Sequence, residues 1–244
     1  MAQERVEDSD AGTSGAPRRA RRQLPFPVQL LVNVLAALLV VSLIQAFVVR
    51  VHNVASGSMQ NTLSVTDRVL SSDLPYLTHG PERGDIVIFG HGATWDDARL
   101  PPSSDPVRAV ARAFGDLTGI GISNTEYTVK RVIGVPGDTV SCCDSEGRVL
   151  VDEQPLEEPY IFEDVTFVTG SFDCASSPRS GRCFDPIVVP DRSYLVMGDH
   201  RSNSADSVAP CRGEGARPGC ARFVPAERIT GKVVAKAWPP GPVG

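Results

Sequence analysis

The sequence is poor in lysine, in histidine and in aromatic side chains. Lys130, Lys232 and Lys236 are the lysines among 24 basic residues, and there are four histidines. Any lysine-based chemistry therefore has few candidates. Aromatics make up 6% of the chain, against 22 glycines and 20 prolines. That balance argues against a helical bundle and for a loop-rich, mainly β body. An excess of positive charge is also missing. The formal net charge is −5, which offers no electrostatic footprint for nucleic acid, and no nucleic-acid partner is expected. No CxxC pair occurs and the histidines are not at ligand spacing, so neither a metal nor a cofactor is expected. The serine elbow GxSxG is absent as well, which removes the main sequence signature of a Ser-His-Asp hydrolase.

One long stretch lacks charge altogether. Pro27 to Val49, PVQLLVNVLAALLVVSLIQAFVV, is apolar apart from single polar residues such as Asn33 and Gln45. As a helix it would reach about 34 Å, against a hydrocarbon core of about 30 Å. Arg18, Arg19, Arg21 and Arg22 precede it, and arginine is sparse just after it. The positive-inside rule then places the N-terminus in the cytoplasm and residues from about 50 onward outside. A cleaved secretory signal is the competing reading, but its apolar region runs to about 7–15 residues. The expected organisation is a basic, disordered segment over 1–26, an anchor over 27–49 and an extracytoplasmic domain over 50–244.

Cys142, Cys143, Cys174, Cys183, Cys211 and Cys220 all fall in that exported part. Loop-closing disulfides are expected there, with a zinc site as the competing reading. Two pairs lie nine positions apart, and neighbours such as Cys142 and Cys143 seldom bridge each other, so the partners stay open.

Short apolar runs recur between turn signals. DRVLSS, GDIVIF, YTVKRVIGV, TVSCC, IVVP, SYLVMGD and ITGKVVAKAW read as strands, with PGD at 136–138 as a turn and a hairpin around Asp152–Glu153. In YTVKRVIGV, Thr128, Lys130 and Val132 share one face, and Val129, Arg131 and Ile133 share the other. PVRAVARAFGDLTGI places Val107, Val110, Ala111, Phe114 and Leu117 at helical spacing. That helix is expected to pack on the sheet, with a membrane-surface role as the alternative. Residues 141–190 read as a loop-rich insertion or second lobe.

Serine is a weak nucleophile until a base takes its proton. His52 lies six positions before Ser58 but belongs to no triad pattern. Lysine is the other base that serves serine, and it must be desolvated to be neutral near pH 7. Lys130, inside an apolar strand, meets that need. SGSM followed by TL, then RGDIVIF, YTVKRVIGVPGD, EPYI, MGDHRSNSADS and ITGK occur in that order. Together they resemble the bacterial type I signal peptidases, membrane-anchored serine endopeptidases with a Ser/Lys dyad, over most of residues 50–240.

The resemblance implies a β-rich catalytic domain in which Ser58 is the nucleophile and Lys130 the general base. Ser56 and the Ser58 amide would form the oxyanion hole. Ser204 would bond the lysine amine, and Asp199, Arg201 and Asp206 would support the site, with Gly198 allowing a tight backbone. Met59, Leu63 and Val129 would lie near shallow substrate pockets, plain core packing being their other reading. Four departures stand out. Asn61 replaces a usual proline, His200 replaces a usual asparagine, Ser202 replaces a frequent aspartate, and Ala55 replaces a common proline. The implied substrates are exported preproteins cut after small residues at −3 and −1, at a membrane-lipid surface. A peptidase dedicated to one surface or pilin-type substrate, and a non-catalytic anchored scaffold, are the alternatives. A lysine-based site should keep its full cleavage activity in EDTA. Strong inhibition with rescue by zinc would favour the metal reading instead.

Overall fold

The computed structural model describes residues 25–90, 95, 104–118, 127–213 and 216–243. The basic run at 18–22, the polar stretch before it and most of 91–126 lie outside these. By its contacts the chain forms two units, Met1–Ala37 and Leu38–Gly244.

Helix α1 covers Phe26–Phe47. Its leucines and valines face outward all round, Leu30 and Leu39 being 54% and 61% exposed. A helix that is apolar on every side needs a non-aqueous surrounding. Among the described residues, it is the one helix long and apolar enough to cross a membrane.

The chain after α1 is mainly β, as composition suggested. In chain order its strands are β1 (Arg50–Asn53), β2 (Arg68–Ser72), β3 (Ile86–Gly90), β4 (Tyr127–Gly134), β5 (Thr139–Cys142) and β6 (Val149–Val151). They continue with β7 (Gln154–Pro155), β8 (Phe184–Val188), β9 (Ser193–Met197), β10 (Val224–Pro225) and β11 (Ile229–Trp238). Seven form one sheet in the order β1-β2-β11-β3-β4-β9-β10, and four form another in the order β7-β6-β5-β8. The second sheet brackets the segment expected to be loop-rich, with no named strand among the described residues between β7 and β8. Its hairpin turns at Asp152 and Glu153, whose φ values of 49° and 65° suit a tight two-residue turn.

Both faces of the central strands are buried. Ile86 and Ile88 of β3 join Val54, Met59, Leu63, Val69 and Val233 in one core cluster. Val87 and Phe89, on the opposite face, pack with Trp95, Val132, Val196 and Val224. From Lys130 to Gly134 every residue of β4 is buried. A strand covered on both sides takes a nearly continuous apolar run, so a lysine inside it loses its water. A third cluster, around Ile133, Val140, Phe184, Leu195 and Met197, carries residues of both sheets.

Two expectations change. Helix α2, Pro106–Thr118, forms where the spacing put it. It does not lie with its apolar stripe on the sheet, because Val107, Val110 and Phe114 are 77%, 70% and 46% exposed. Helical periodicity fixes which residues share a face but not what that face meets. The cysteines pair as Cys174–Cys183, Cys211–Cys220 and, against expectation, Cys142–Cys143. With all six oxidised, no thiolate is available to a zinc ion.

Cys211 is buried in the third cluster, and its partner Cys220 packs against the same group. Exchanging both for serine opens that loop in the unfolded chain and puts a hydroxyl into the core. The double variant should lose about 2–4 kcal/mol of unfolding free energy, read from denaturant midpoints. Midpoints matching the parent would show that the bridge adds nothing.

Candidate active site

A 3-10 turn over Gly57–Met59 carries Ser58 directly after β1. Met59 and Leu63 hold this turn to the core, at 1% and 0% exposure, and the Leu63 amide donates to the Met59 carbonyl at 2.7 Å. The stretch from Val54 to Asp67 closes on itself, since the Val54 amide donates to the Asp67 carbonyl and the Thr66 amide to the Val54 carbonyl. Apolar side chains below and backbone bonds at the neck leave the two serines on top.

Strand β4 brings Lys130 to the same point from 72 positions away, and its Nζ is hydrogen-bonded to Ser58 Oγ. Lys130 sits opposite Val87 of β3 in the ladder. Burial strips water from the ammonium form and lowers its pKa to about 8, although Asp206 and Asp199 pull the other way. Ser56 Oγ lies 3.2 Å from Ser58 Oγ. Ser56 is exposed whereas Ser58 is buried, so the two hydroxyls sit at different depths.

The supporting charges are paired. Arg131, next to the lysine, donates through Nε and Nη2 to the two oxygens of Asp199 at 2.9 and 2.8 Å. Its guanidinium stacks on Tyr160, 3.9 Å from the ring centre. Thr62 Oγ1 donates to Asp199 from the nucleophile side. Arg201 donates to both oxygens of Glu158 and, through Nε, to the Gly198 carbonyl. Asp206 is wholly buried, with Arg212 Nη2 at 3.3 Å.

Gly198 sits where no other residue fits. A Cβ there would come within 2.4 Å of the Ser58 carbonyl oxygen and 2.3 Å of Ser204 Oγ. The strand end is therefore pressed against the backbone of Ser58. From the next residues, the His200 amide donates to the Ser58 carbonyl at 3.1 Å.

Most of the expected residues converge, and three behave differently. Ser204 Oγ is buried and makes no hydrogen bond in the structure, so the expected bond to Lys130 is not formed. The hydroxyl is instead packed against Gly198. Met59 and Leu63 belong to the core beneath the site rather than to an open pocket, while Val129 remains half-buried beside them. His52 stays out of the chemistry. It is half-buried, edge-on to Tyr127, and its pKa is lowered to about 4, mainly by loss of water around the ring.

Sequence reasoning missed the roles of Glu158, Tyr160, Arg131 and Thr62. EPYI, KR and TL contained them as matched letters, but pairing across 43 and 68 positions is invisible in a linear pattern.

A serine hydroxyl bonded to a buried, partly neutralised lysine amine, on a β scaffold, defines a hydrolase of the serine–lysine class. The comparisons with known proteins name the family. The family described as "Signal peptidase, peptidase S26" matches residues 28–238. The chain is 33% identical to a signal peptidase I of Mycobacterium tuberculosis over 243 residues, which covers 96% of this chain and 79% of that protein. A probable signal peptidase I of Mycobacterium leprae is 32% identical, over 80% of this chain and 70% of its own length. A signal peptidase IB of Staphylococcus aureus is 26% identical over 86% and 88%. A crystal structure of a signal peptidase I from Enterococcus faecalis aligns with a TM-score of 0.34 at 21% identity, over 63% of this chain and 96% of that one. The chain belongs to the peptidase S26 family of signal peptidases, membrane-anchored serine endopeptidases whose mechanism is the Ser/Lys dyad.

Because the base must be neutral, kcat/KM should rise about tenfold per unit of pH while the amine is protonated. The rise should level off above about 8, where the amine has lost its proton. A profile flat from pH 6 to 9 would exclude Lys130 as the titrating base.

Proposed function

We propose that this protein removes signal peptides from exported preproteins, with Ser58 as nucleophile and Lys130 as general base. The observation that carries this reading is the contact of the Lys130 amine with the Ser58 hydroxyl, in a chain whose family match covers residues 28–238. Neutral Lys130 takes the Ser58 proton as Oγ attacks the scissile carbonyl. The negative charge then developing on the carbonyl oxygen is met by Ser56 Oγ and the Ser58 amide. One such donor is worth about 3–4 kcal/mol of transition-state stabilisation. Lys130, now protonated, gives its proton to the leaving amine, and the C–N bond breaks. The mature protein has left as that amine; water then attacks the acyl-enzyme with Lys130 again as base, which frees Ser58 and releases the signal peptide with a new C-terminal carboxylate.

The proposed substrates carry small residues at −3 and −1, the pattern of a cleavable signal. Val129, half-buried beside the Met59 and Leu63 cluster, is the proposed wall for one of those side chains. The proposed topology puts the N-terminal arginines in the cytoplasm, the anchor across the bilayer and residues from about 50 outside. Tethering to the lipid surface raises the local concentration of signal peptides that emerge there. Asp199 and Asp206, each paired with arginine, act as scaffold rather than as acids or bases.

Ser58→Ala and Lys130→Ala should each abolish cleavage of a purified preprotein, with thermal unfolding close to the parent's. Full cleavage by Lys130→Ala would rule out the dyad. Cleavage of one preprotein but no others by the parent enzyme would point to a dedicated peptidase.

A further inference from the structure

Gln60, Glu163 and His200 meet beside the nucleophile and have no part in the chemistry above. The His200 ring is 8% exposed. Its Nδ1 lies 3.3 Å from Gln60 Oε1. Its Nε2 lies 3.2 Å from Glu163 Oε2, on a carboxylate that is 64% exposed. The Phe162 ring meets the imidazole edge-on, with centres 5.1 Å apart. The backbone on either side is also tied. The Phe162 amide donates to the Asp199 carbonyl and the Ser202 amide to the Glu163 carbonyl, at 2.9 and 3.1 Å. The imidazole therefore has little freedom to turn away from Gln60.

Gln60 is where this network reaches the site. A Cβ on Gly57 would come within 2.9 Å of Gln60 Oε1. The Gln60 amide thus lies directly over Gly57, the residue between Ser56 and Ser58. The same His200 holds the Ser58 carbonyl through its backbone N–H. Two contacts from one residue clamp the turn, one on the backbone and one through a side chain laid across it. Asn61 follows Gln60 without the ring constraint of a proline, so the turn depends more on such contacts.

We infer that His200 is a positioning residue for this reaction. Its ring holds the Gln60 amide over Gly57 and thereby sets the turn that presents Ser56 and Ser58 to Lys130. The contact that matters is through Nδ1 to Gln60. The one through Nε2 to the exposed Glu163 only steadies the ring. This rests on the reading of Ser58 as nucleophile.

The test uses the full-length chain in detergent and compares substitutions that keep one ring nitrogen's position. Asparagine places an amide nitrogen near the site of Nδ1, and glutamine places one nearer that of Nε2. His200→Ala should lower kcat about tenfold with KM within a factor of two, as expected when the nucleophile is displaced but binding is intact. His200→Asn should recover to within about threefold of the parent, and His200→Gln should stay as low as His200→Ala. Gln60→Ala should match His200→Ala, and the double variant should be no worse than either, because both remove one contact. The inference is overturned by a His200→Ala enzyme within twofold of the parent, by equal recovery in the asparagine and glutamine variants, or by additive losses in the double variant. Should His200→Ala fail to fold, the asparagine–glutamine comparison decides alone. Acylation of Ser58 by a small activated ester, followed by mass spectrometry, gives the same ranking without a signal peptide. Parent enzyme that acylates but cleaves no preprotein would refute the proposed substrate while the acylation rates still judged His200. Parent enzyme that never acylates at Ser58 would refute the nucleophile and the clamp with it.

Discussion

The site depends on keeping one amine out of water while the charges around it are spoken for. Lys130 is 3% exposed, and desolvation is the largest influence on its protonation. Two buried carboxylates, Asp199 and Asp206, oppose that effect. Left unpaired, they would favour the ammonium form still more. Each has an arginine instead, Arg131 for Asp199 and Arg212 for Asp206. These buried ion pairs are weak arguments for stability, since dehydrating both ions offsets much of their attraction. Their value here is electrostatic neutrality next to a lysine that must be able to lose its proton.

Close backbone packing converts that chemistry into geometry. The Ser58 carbonyl is pressed against Gly198 and accepts from the His200 amide. Gly198 in turn offers its own carbonyl to Arg201, which is locked to Glu158. The segment after β9 thus joins the nucleophile turn to the 158–163 stretch of the chain. A change of a single methylene at Gly198 would meet the Ser58 carbonyl oxygen as well as the Ser204 side chain, and the first of these cannot yield without moving Ser58 itself.

How far the site was legible in the sequence differed from residue to residue. The β-rich class was readable because strands between turn signals carry it, and Ser58 and Lys130 were singled out by the resemblance of SGSM and YTVKRVIGVPGD to the signal peptidases. The Arg201–Glu158 and Arg131–Asp199 pairs were not, because they join segments 43 and 68 positions apart. Ser204 was expected to bond the lysine amine and is packed on Gly198 instead, a distinction of rotamer and depth. Met59 and Leu63 carry the same letters whether they line a pocket or fill a core. Helix α2 formed as its periodicity required, yet its apolar stripe is exposed.

By itself the sequence determined the apolar span, the strand-forming runs and the order of the chemical groups, since these follow from hydropathy and spacing along a chain. Only the tertiary structure decided which groups are dry and which charges cancel. Burial on both faces of β4 makes Lys130 a dry amine that gives up its proton more readily than a surface cation. The contact of β9's end with the nucleophile turn decides where Ser58 points. Both are properties of what surrounds a residue in space, and desolvation and close packing act through space rather than along the chain.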